Sequence, residues 1–201
     1  NCIHSNKNLF QIAAFYSFIN IQAKVIPSIQ KELKNIGEDE NIKGTILLAE
    51  EGVNGTICGP SEGIFTLLQK LQSSISNEFI HIEKKISWSK EQAFSRLKVR
   101  WKAEIVTLGV PEIDPSKSSG TYVKPSDWNQ LIEDEETLVI DTRNNYEIQI
   151  GTFKGSLNPQ TNSFREFPLW VDKELRPLVE RIKPKRIAMF CTGGIRCEKA
   201  S

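Results

Sequence analysis

Residues 43–59, KGTILLAEEGVNGTICG, constrain the fold more than any other stretch of the chain. Two runs rich in β-branched residues, separated by Glu50-Glu51-Gly52, read as a β-hairpin, with Asn54-Gly55 as a rival turn position. A hairpin has to bury one face, and its flanks supply the cover. Residues 10–19 are apolar and aromatic enough for a buried strand, and 25–36 have helical spacing with the charges on one side. Pro60-Ser61 opens a second helix with Ile64, Leu67, Leu68 and Leu71 on one stripe, and a strand follows near 80–87.

The resulting order, β-α-β-β-α-β, is an α+β ferredoxin-like (acylphosphatase-like) plan. Beyond it, residues 96–106 (RLKVRWKAEIV) alternate. Leu97, Val99, Trp101, Ala103 and Ile105 point to one side of an expected strand, with Trp101 read as core, while Arg96, Lys98, Arg100 and Lys102 point to the other. The cations have two readings: a track for a phosphate backbone, at steps of roughly 6.7 Å along the strand, or an ordinary solvated face. Residues 110–125 hold three prolines and three serines and are expected to be a linker. The expected organisation is therefore a first domain over 1–109, a linker over 110–125 and a second domain over 126–201.

The second domain alternates helices and strands. A short helix at 128–132 precedes a buried strand, TLVID, that ends on Asp141. A turn region near 146–150, a helix near 169–182 and a strand at 186–190 follow. This is the α/β pattern of a parallel sheet, whose sites form at the carboxyl ends of the strands. Asp141 and Cys191 both stand at such ends. Asp141 with Arg143 reads as an ion pair or turn cap, or as an acid available for proton transfer.

After the last strand the chain reads Cys191-Thr192-Gly193-Gly194-Ile195-Arg196 and then turns helix-forming. A sulfur in this position is surrounded by backbone N–H groups at the positive end of a helix dipole. Arg196 can add a positive charge, and both effects favour thiolate. Cys191 is thus the candidate nucleophile and the loop to Arg196 its cradle. Cys197 reads either as a resolving thiol, able to close a disulfide after oxidation, or as a first-turn residue facing the core. His4 and His81 have no partner pattern.

Composition limits the alternatives. With 39% apolar and 25% charged residues and a net charge of +1, the chain is neither disordered nor globally basic, so any nucleic-acid contact has to be local. No apolar run approaches the roughly 18 residues that span a bilayer, and no signal peptide is evident. The expectation is a cytoplasmic protein with reduced cysteines at 2, 58, 191 and 197. No metal site, organic cofactor or stable protein partner is expected. The chain opens without methionine and stops soon after a helix begins, as a fragment would.

The motifs also carry a family resemblance. Cys191–Arg196 resembles the active-site loop of rhodanese domains, and Val139–Arg143 with Gly151–Asn158 resembles their other signature. The longer strings DTRNNYEIQIGTFKGSLNPQT, FREFP and CTGGIRCEKAS, together with AEEGVNGTICG in the first half, are similar to the rhodanese-like tRNA uridine hydroxylases. The resemblance implies an α/β rhodanese-like second domain whose carboxyl-terminal part is absent from the sequence. It implies tRNA as substrate, oxygen-dependent formation of 5-hydroxyuridine at the wobble position, molecular oxygen as co-substrate, and Cys191 as the essential cysteine. It also assigns Asp141 and Arg143 a structural role. The chain has Gly151-Thr152 where rhodaneses commonly carry Gly-His. Persulfide transfer to a small acceptor suits an activated thiolate equally well, whereas intact Cys191 and Arg196 disfavour an idle binding module.

Overall fold

The computed structural model describes residues 9–76 and 81–201, so Cys2 and His4 lie outside the described residues. The chain divides into two compact units, one running to Ile105 and the other spanning Val106–Ser201.

In the first unit the strands are β1 (Phe10–Phe18), β2 (Lys43–Ala49), β3 (Gly52–Gly59), β4 (Glu83–Ser89) and β5 (Leu97–Trp101). They form one sheet in the order β4-β1-β3-β2-β5. The helices α1 (Ile26–Asp39) and α2 (Ser61–Ile75) pack against each other and on the sheet. The first four strands and two helices are ferredoxin-like in order and connection, and β5 adds a fifth strand parallel to β2. Alternation decides which face is covered. Ala13, Phe15, Ile46, Leu48, Val53 and Ile57 join Ile29, Leu33, Ile64, Leu67 and Leu71 of the helices in one core. Those helical residues recur every three or four positions, which gathers them on one stripe.

The hairpin turns at Glu50-Glu51. Asn54-Gly55, the rival turn, is instead mid-strand, with Gly55 opposite Phe15 of β1 and Ile46 of β2. A Cβ there would lie 2.7 Å from Phe15 Cζ, so glycine is needed for packing and not for a turn.

The basic strand departs from its sequence pattern. β5 stops at Trp101, after which the Lys102 amide makes one more bond, to the Leu48 carbonyl, at 2.8 Å. Trp101 is 46% exposed and not core, and Ala103 is exposed. A residue at the end of an edge strand has a neighbour on one side only, so alternation does not bring burial. Ile105 is buried separately. Its N–H donates to Glu51 Oε1 at 2.6 Å, and its carbonyl accepts from Asn54 Nδ2 at 2.9 Å.

The second unit holds α3 (Pro125–Glu133), β6 (Thr137–Asp141), α4 (Asn145–Ile148), α5 (Phe167–Trp170), α6 (Arg176–Ile182), β7 (Arg186–Phe190) and α7 (Ile195–Ala200). A wide helical turn over Val171–Leu175 joins α5 to α6. β6 and β7 pair in parallel, with Asp141 opposite Phe190, and Leu157 bridges Ile140 on the other side of β6, also in parallel. Leu108, Ile140, Phe164, Phe167 and Leu175 form its core.

Residues 110–125, expected as a linker, belong to this unit. Val110 packs on its core, and the Gly120 N–H donates to Ser201 Oγ at 2.7 Å. The proline-rich composition reflects an irregular path, not independence from the core. Among the described residues no helix is long and apolar enough to cross a membrane.

Candidate active site

Parallel pairing places the carboxyl ends of β6 and β7 side by side. From β7 the chain passes through Cys191–Gly193 and enters α7 at Gly194, whose φ of 91° is open to glycine and strained for any other residue. That conformation turns the Gly194 N–H back on the loop, where it donates to Cys191 Sγ at 3.0 Å. The amides of Gly193 and Cys197 also bond the sulfur, and so does the Cys197 thiol.

These donors, with the Cys197 thiol the strongest, outweigh the cost of burial and lower the Cys191 pKa to about 5. The proton is displaced to the partner: Cys197 is pushed up, chiefly by its bond to Cys191, and stays a thiol. Thr142 Oγ1 lies 3.3 Å from Cys197 Sγ and donates to the Phe190 carbonyl at 3.1 Å, which ties the end of β6 to the loop. The arrangement is therefore a thiolate held by backbone amides with a second thiol as donor. It suits nucleophilic attack or a persulfide.

Arg196 bonds Cys191 but is engaged chiefly by Glu147 of α4. Nη1 donates to Oε2 at 2.6 Å and Nη2 to Oε1 at 2.9 Å. Thr192 Oγ1 and the Asn144 N–H donate to the same carboxylate. Glu147 is held at about 2, first by Arg196, and Arg196 is raised above its usual range by Glu147. The cradle thus contains an ion pair, not a free guanidinium.

Asp141 and Arg143 form a neighbouring network. Fully buried Asp141 accepts from the Arg143 N–H, Nε and Nη2 and, at 2.8 Å, from Thr152 Oγ1. Arg143 Nη2 also donates to the Gly151 carbonyl at 2.6 Å, and its guanidinium lies over the Phe190 ring. Every role of Asp141 here is that of an acceptor joining β6 to the 151–156 loop. Thr152 is part of this network and also lies 2.9 Å from Ser156 Oγ. Ile195 opens α7, and His81, on the first unit, is exposed and bonded to Glu83.

Sequence reasoning missed Glu147 and Thr142. The available signal for Glu147 was Asn144-x-x-Glu147, an acid three residues after a helix-capping residue.

The fold and site define a class: a ferredoxin-like unit followed by an α/β unit that carries an amide-cradled cysteine after a parallel strand. Residues 10–105 match the family described as the UPF0176 acylphosphatase like domain. The chain is 53% identical over 197 residues to a protein of Prochlorococcus marinus (strain MIT 9313) named tRNA uridine(34) hydroxylase, covering 98% of this chain and 63% of that protein. It is 52% identical over 194 residues to a protein of the same name from Synechococcus sp. (strain CC9902), covering 95% and 64%. The chain belongs with them to one family and spans about three-fifths of the length of these relatives. Among solved structures, the acylphosphatase of Coxiella burnetii aligns with 49% of this chain and 100% of its own, at 18% identity and a TM-score of 0.35. That of Bacillus subtilis aligns with 45% and 98%, at 11% identity and a TM-score of 0.35.

Proposed function

We propose that the chain is the cysteine-bearing part of a tRNA uridine hydroxylase. It converts C5–H of the wobble uridine to C5–OH in the cytoplasm: one atom of molecular oxygen enters the base and the other leaves as water, with two electrons and two protons drawn from an external two-electron reductant. The second unit is read as a rhodanese-like domain covering 126–201. The observation that supports this most is the Cys191 site: a sulfur kept as thiolate near neutral pH by the amides of Gly193, Gly194 and Cys197 and by the Cys197 thiol, in a chain whose relatives carry that name.

In this reading Cys191 is the catalytic residue that meets the base or carries a persulfide. Thr192–Arg196 shape the cradle, while Glu147 positions Arg196. Asp141 and Arg143 hold the strand end in place. The test is mass analysis of wobble uridines in cells carrying either the intact gene or Cys191→Ser. The change is nearly isosteric at a loop position, so folding is retained. Loss of 5-hydroxyuridine in the variant is expected, and its persistence would remove Cys191 from the mechanism.

A further inference from the structure

Lys43, Arg96, Lys98, Arg100 and Lys102 make no ion pair among the described residues, although seven of the eight salt bridges found there use a lysine or arginine. Register brings them together. Lys98 stands opposite Thr45 and Arg100 opposite Leu47, so these cations share the helix-free face of the sheet with Lys43 of β2. No acid lies within β2 or β5. Like charges gathered at one sheet edge without compensation suit a polyanion.

Trp101 adds the second observation. It closes β5 opposite core-facing Leu48, so alternation turns its ring to the other side of the strand from Lys98 and Arg100, and it is 46% exposed at the sheet edge. Because β5 is an edge strand, a single strand passing around it meets the ring on one side and the cations on the other: the ring stacks an unpaired base while the cations hold adjacent phosphates. A duplex cannot supply the base, because its bases are already stacked on both faces.

We propose that the β5 edge binds single-stranded RNA, with Trp101 stacking one unpaired base and Lys98, Arg100 and Lys102 holding the flanking phosphates. This deepens the hydroxylase reading and rests on it for the identity of the natural RNA. The part engaged is an unpaired loop, not a stem.

The test uses the full-length protein with a labelled 12-nucleotide oligouridine and a 12-base-pair RNA duplex, titrated over a salt series. Single strand is expected to bind more tightly than duplex. Trp101→Leu should weaken single-strand binding about 5- to 150-fold, while Trp101→Phe, which keeps a ring, retains most of it. Lys98→Gln with Arg100→Gln should lower the log–log salt slope by roughly 1.4. Unchanged affinity in Trp101→Leu, equal loss in Trp101→Phe, or duplex bound as tightly as single strand would each overturn the proposal. Wobble 5-hydroxyuridine is measured in the same variants and in wild type. Its absence in wild type with oligouridine binding intact removes the hydroxylase reading alone. Its full retention when the binding arm fails removes the β5 site alone.

Discussion

Arg196 and Glu147 meet end to end, two donors against two oxygens at 2.6 and 2.9 Å, and so join the first turn of α7 to a short helix 49 residues earlier. Both side chains are mostly buried, at 15% and 19% exposure, which makes the pair sensitive to loss of either charge.

Glu147→Gln keeps the shape and removes the charge, and is expected to cost about 1–3 kcal/mol at neutral pH. The carboxyl titrates at about 2 in the folded chain against an ordinary 4.5. An acid with a depressed pKa contributes stability that is fully present above its unfolded value and is lost as pH falls towards the folded one. The gap between wild type and variant should therefore be constant above pH about 4.5 and close progressively towards about 2. Urea unfolding of both proteins across this range measures it; a gap independent of pH would show that the charge is not what holds the loop.

Cys191 should alkylate with iodoacetamide at a rate that is flat through neutral pH and falls as pH drops through about 5, because only the thiolate reacts. Cys58, fully buried, should react far more slowly. Cys197→Ala removes the largest stabilising bond and should move the midpoint up by at least about one unit, whereas Cys197→Ser, which keeps a donor, should shift it less. An unmoved midpoint in the alanine variant would deny Cys197 its donor role.

The Asp141 network gives a contrasting outcome. Asp141→Asn leaves the Arg143 guanidinium facing a neutral partner at a fully buried position, and a loss of about 3 kcal/mol is expected. The protein that remains folded should still alkylate at Cys191 with the wild-type midpoint. A stability loss without a shift in midpoint would fit a structural acid; a shift would bring Asp141 into the chemistry.

What sequence made legible was whatever local spacing determines. The α1 and α2 stripes, the hairpin and the β7–loop–α7 passage each declare themselves within about fifteen residues. What it hid depends on distant neighbours. Glu147 is read as a capping acid until the fold brings Arg196 to it. Thr142 is one more strand-end threonine until α7 places Cys197 beside its hydroxyl. Leu108 and Val110 lie beside a proline-rich stretch, and their place with Phe164 and Ile140 has no local signal. Trp101 shows the opposite error, because alternation assigns a side but not a neighbour, and β5 is an edge.

The two loop glycines separate backbone geometry from side-chain space. Gly194 has φ 91°, so Gly194→Ala forces an L-residue into a region it avoids, at about 1–3 kcal/mol. Relief of that strain would rotate the peptide and turn the N–H away from Cys191 Sγ, now 3.0 Å distant. Stability and thiolate character should fall together. Gly193 is different, because its φ is not positive and a Cβ there would meet nothing within 4 Å. Gly193→Ala should therefore stay within about 0.5 kcal/mol of wild type and keep its amide on the sulfur. Thermal melts and the pH dependence of alkylation in the two single variants decide the matter. Equal effects at both positions would mean that loop flexibility, and not the direction of the Gly194 amide, holds the thiolate.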